Sequence, residues 1–131
     1  MREEEIVTKA ILKLFSFKKF LMRRRINLFQ EKVSLFLDCE KANRNSNFQK
    51  EAECQAKIDL MANKIFNTDL VIKLVDGFDT NIKAHQYTHA LISLNRLILL
   101  LQGISSQPTE LFDLLRATQS YLETIASVAY A

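Results

Sequence analysis

Apolar positions recur along this chain at three- and four-residue intervals, the period of one face of an α-helix. The densest run lies between Asp79 and Gly103. There Tyr87, Leu91, Leu94, Ile98 and Leu101 are separated by 4, 3, 4 and 3 residues; Ala90, Leu97 and Ile104 widen the seam, while Ile92, Leu99 and Leu100 lie off it. That much apolar surface needs packing on several sides, so the segment is expected to be the central helix of a bundle. His89, Asn95 and Arg96 interrupt it, which keeps it short of the ~20-residue apolar run of a membrane span. Asp79 or Thr80 would cap its start, and Gly103 suits the C′ position.

Upstream, the same periodicity predicts one long helix over residues 3–42, opened by Glu3, Glu4 and Glu5 at the positive end of the helix dipole. At 1.5 Å per residue it would run about 60 Å. Either it breaks around Ser16 to Lys18 or it reaches out toward a partner. From Phe17 onward it carries two apolar stripes. Phe17, Phe20, Leu21, Leu28 and Leu35 form one; Met22, Ile26, Phe29, Val33 and Phe36 form the other. Only a narrow polar face remains around Arg23, Gln30, Ser34 and Asp38. A small monomeric bundle seldom covers so wide an arc, so the second stripe is the expected partner or subunit interface.

Asn43 to Asn47 reads as the first loop, with Ser46 and Gln49 spaced as a capping box for the next helix. Cys54, Ile58, Met61 and Ile65 then step at helical spacing, and a short extra helix is expected over Leu70 to Val75, ending at Asp76-Gly77. Ser105 to Pro108 reads as a linker, with Pro108 suited to the first turn of a last helix. On that helix Leu111, Leu115, Thr118, Leu122, Ile125 and Ala129 form the seam, and Tyr121 and Tyr130 pack at its edge. The expected fold is all-α: an up-and-down bundle of four main helices plus one short helix, in a single domain over residues 1–131.

Composition supports this. The 131 residues include two Gly and one Pro, too few for a fold rich in tight β-turns. Nine Phe and no Trp make the core Phe- and Leu-based. Net charge is a mild +3, but residues 1–45 hold 11 Lys and Arg against 6 Asp and Glu, whereas residues 46–131 hold 7 against 9. Two cysteines, Cys39 and Cys54, give no metal or disulfide framework and read as small buried hydrophobes. Met1-Arg2 leads into three glutamates rather than an apolar run, so a cytoplasmic location is expected.

The candidate chemistry is thin. Lys9, Lys13, Lys18, Lys19, Arg23, Arg24 and Arg25 are seven positive charges with Phe15, Phe17 and Phe20 among them. Lys18, Lys19, Arg23, Arg24 and Arg25 form a candidate polyanion contact, as in a small nucleic-acid-binding subunit. Their helical angles are scattered, however, so the favoured account is that they solvate an otherwise apolar helix, with a membrane-surface helix as a third option. His85 and His89 stand four residues apart, a spacing that can hold a metal, but Gln86 occupies the place of a zinc-protease glutamate and no third ligand is near. They read as polar-face histidines. Asn95, an amide among leucines, either fixes register or points to water. With no phosphate loop, carboxylate pair or nucleophile–base set, the expectation is a non-catalytic assembly or adaptor module without cofactor or metal. It would act through protein–protein contact and self-association as a homodimer or larger.

Overall fold

The computed structural model of the protein describes residues 2–103 and 109–129. It is all-α, with four helices and no strand among the described residues: α1 Glu3–Arg44, α2 Phe48–Lys83, α3 Tyr87–Gln102 and α4 Thr109–Ala129. The linker expected at Ser105 to Pro108, Ile104 and Tyr130 lie outside the described residues.

The helices group into two compact units, one of Met1–Lys19 with Val71–Ala131 and one of Phe20–Leu70. In the first, the opening turns of α1 bury Val7, Ala10, Leu14 and Phe17, and the end of α2 buries Val71, Val75 and Phe78. From α3 come Ala90, Leu94, Leu97, Ile98 and Leu101, and from α4 Leu111, Leu115, Thr118 and Leu122. Most positions of the expected seams are therefore buried, with Tyr87, Leu91 and Ile125 half-buried, the Ala129 side chain outside the described ones, and off-seam Leu99 at the surface. Thr118 is buried at no polar cost, because its hydroxyl donates to the Leu114 carbonyl at 2.7 Å.

The second unit is a two-helix hairpin. α1 buries Leu21, Leu28 and Ala42 at multiples of seven residues; α2 answers with Cys54, Ile58 and Thr68, with Met61 and Ile65 half-buried between them. Of the first expected stripe, Phe17, Leu21 and Leu28 are buried and Leu35 half-buried, whereas Phe20 is 46% exposed. Neither α3 nor α4 belongs to this unit.

Several expected boundaries are corrected. α1 has no break at Ser16 to Lys18: Leu14, Phe17 and Leu21 keep an unbroken 3-4 spacing on its buried face. The short helix expected over Leu70 to Val75 is part of α2, which continues through Asp76-Gly77 to Lys83. Burial of Val71, Val75 and Phe78 outweighs the helix-breaking tendency of a single glycine. The buried positions do shift there, stepping by three twice from Ile65 through Thr68 to Val71, a local change of phase in the seam.

The long helix expected from Asp79 to Gly103 is divided. Asp79 and Thr80 lie inside α2, the chain turns at Ala84 to Gln86, and α3 starts at Tyr87. His85 takes the left-handed conformation (φ 57°), its N–H donating to Ile82 and that of Gln86 to Asn81, the paired bonds of a Schellman stop. The α1–α2 turn repeats the device with Ser46 at φ 53°, Ser46 N–H on Asn43 and Asn47 N–H on Ala42. Ser46 is thus no N-cap. Asn47 caps α2 instead, its Oδ1 accepting from the Lys50 N–H at 3.2 Å. Gly103 ends α3 with φ −84°, so its tolerance of positive φ is unused.

Candidate interaction surface

Within the hairpin unit, α1 presents a second seam that its partner helix does not cover. Met22, Ile26, Phe29, Val33 and Phe36 step 4, 3, 4 and 3, and all five are between 43% and 56% exposed. Leu37, next to Phe36 and one turn from Val33, is 62% exposed. Helical phase explains why. At 100° per residue this stripe is centred about 120° from the line Leu21, Leu28, Leu35, too far round for one neighbouring helix to bury both.

The spacing is that of a heptad seam, with β-branched Ile26 and Val33 at one register position and Met22, Phe29 and Phe36 at the other. On α2, exposed Phe66 stands one turn from Asp69, and Asp69 Oδ1 accepts from Arg25 Nε at 2.5 Å. Arg25 in turn lies one turn from Met22 and Phe29, so Phe66 borders the same side of the hairpin. Near the hairpin tip a shallow groove is lined by Phe36, Leu37, Cys39, Glu40, Asn43 and Glu51. Together the open apolar side chains offer roughly 600–800 Å², above the usual run of patches on a monomer.

The basic residues are dispersed by the same geometry. Lys18 reaches Asp76 at 2.6 Å and lies 5.7 Å from the centroid of Phe15; Lys13 pairs with Glu110 at 3.3 Å, and Arg25 with Asp69. Lys19 and Arg23 are exposed, whereas Arg24 is half-buried on another side of the helix. Three of the seven cations are therefore matched by acids of the same chain.

The remaining candidates resolve individually. His85 sits in the turn and His89 in α3, so they do not share a helix face as expected; His85 Nδ1 instead meets the Tyr87 hydroxyl at 2.8 Å. That pair borders a cleft of about 260 Å³ with Glu4 and Tyr121, and burial, then Glu4 and Glu3, raise the Tyr121 pKa. Among the described residues no three His, Cys, Asp or Glu side chains gather as a metal site. Asn95 is exposed and its Oδ1 accepts from Gln119 Nε2 at 2.6 Å, linking α3 to α4. Cys39 and Cys54 are free thiols, half-buried and buried. Burial, and after it the Glu51 carboxylate, push the Cys39 thiol above its ordinary pKa, so it is a poor nucleophile. No described helix is long and apolar enough to cross a membrane.

The chain matches no family model, no curated protein and no solved structure.

Proposed function

We propose that the protein is a non-catalytic assembly module that works by protein–protein contact, self-association included, with the Met22–Phe36 face of α1 as its contact surface. The observation that carries this reading is the uncovered second seam: five consecutive heptad positions, all apolar and all about half exposed. Water-exposed seams of that spacing are unfavourable unless another helix covers them. The dispersed, partly ion-paired cations lend less support to a nucleic-acid-binding role.

The test is sedimentation velocity at tens of micromolar for the wild type and for Phe29→Asp. Phe29 is 52% exposed, so the variant should keep its helical circular dichroism while losing the assembly. A wild-type monomer, or an assembly that Phe29→Asp leaves intact, would remove this surface from consideration.

A further inference from the structure

Resting on that reading, we infer that the occupant of the α1 seam is a second copy of this chain, bound antiparallel across a two-fold axis near Glu31, with Arg23 of each copy beside Glu40 of the other. The first turn of the seam is basic, whereas its last position is the acidic Glu40, with Lys41 and Arg44 in the turn beyond. Arg23, Arg24 and Arg25 flank Met22, whereas Glu40 occupies the heptad position that follows Phe36. A parallel pair would set Glu40 against Glu40 and the arginine run against itself, which like-charge repulsion opposes.

An antiparallel pair behaves otherwise. The register that sets Ile26 of one copy against Phe36 of the other also sets Phe29 against Val33, and by symmetry gives four wholly apolar layers. The next layer at each end brings Glu40 against Met22, one residue from Arg23. Arg23 is exposed and makes no ion pair among the described residues. Glu40 is also exposed and among the described residues pairs with Arg44 on its own helix, which leaves carboxylate lone pairs for a second guanidinium. The apolar area open on one copy, roughly 600–800 Å², is close to the ~800 Å² that each partner of a standard interface contributes. The surface is thus large enough, and the antiparallel orientation is the one that sets Arg23 beside a carboxylate on the seam.

Charge reversal tests this directly. Arg23→Glu, Glu40→Arg and the double exchange would be compared by sedimentation equilibrium, with circular dichroism to confirm that these exposed changes leave the fold intact. Each single reversal places like charges at two symmetric positions, so each should weaken dimerisation roughly ten-fold. The double exchange should recover most of the loss, because glutamate at 23 then faces arginine at 40. A monomeric wild type, a dimer indifferent to the single reversals, or a double variant as weak as the singles would overturn the arrangement. A dimer that Phe29→Asp abolishes but the reversals do not affect would refute the antiparallel pairing while leaving the α1 face as the contact surface.

Discussion

Arg25 Nε donates to Asp69 Oδ1 at 2.5 Å, joining α1 and α2 across the hairpin between residues 44 apart in sequence. Both side chains are nearly half exposed, 42% and 46%, so solvent screens the pair and its net worth is small. Arg25→Gln should lower the stability to urea by about 0.2–1 kcal/mol, with unchanged helical content. A larger loss would mean that Arg25 contributes through its aliphatic stem, half-buried against the hairpin, more than through its charge.

Gly77 offers a test of opposite sign. It lies in the interior of α2, and a Cβ built there meets nothing within 4 Å. A helix-interior glycine costs roughly 0.5–1 kcal/mol relative to alanine through backbone entropy. Gly77→Ala should therefore raise the melting temperature by a few degrees, read by thermal circular dichroism. A destabilised variant would mean that α2 is interrupted at this position in solution.

Both helix-ending turns place a side chain where glycine is the usual occupant. Ser46 and His85 have φ of 53° and 57°, a conformation that costs L-residues about 1 kcal/mol or more. Ser46→Gly should stabilise the chain by up to about 1 kcal/mol, the relief of strain being offset partly by a more flexible unfolded state. His85→Gly should gain less, because it also removes the contact with the Tyr87 hydroxyl. Chemical denaturation of the two variants side by side measures the difference.

The second of these turns also shows where the sequence was opaque. The seams of α3 and α4 were legible because Leu94, Leu101, Leu115 and Leu122 repeat at helical spacing and are the residues that become buried. The α2–α3 boundary was not, because its stop is built from main-chain bonds around Ala84, His85 and Gln86, none of which marks a turn by composition. Gly77 misled in the other direction: it resembles a stop, but the burial of Val75 and Phe78 on either side carries the helix through it. The excess apolar arc of α1 could be read from residue spacing. Its second stripe, Met22 to Phe36, was the one expected to stay open, and it is the one that α2 leaves exposed. The ion pairs that absorb Lys13, Lys18 and Arg25 were equally hidden, because Glu110, Asp76 and Asp69 lie far along the chain.

Those pairs set the expectation for polyanions. Each cation that neutralises a phosphate contributes about 0.7–0.9 to the slope of log affinity against log salt. Around residues 18–25, Lys18 and Arg25 are already held by acids, Arg24 is half-buried and turned away, and only Lys19 and Arg23 are exposed without such a partner. Binding to a duplex or to heparin through residues 18–25 should then show a slope of no more than about 2, equivalent to two phosphate contacts. Arg23, Arg24 and Arg25 changed together to Gln should flatten that slope by about one, since Arg23 alone among the three is free to reach a phosphate. Affinity should be indifferent to base sequence, as backbone contacts carry no base information. Gel-shift titrations across a salt series, with wild type and triple variant compared, measure both quantities. A wild-type slope of four or more, reduced by three in the variant, would show that Arg24 and Arg25 leave their places in the hairpin to bind phosphate, and would move the nucleic-acid reading ahead of the assembly module.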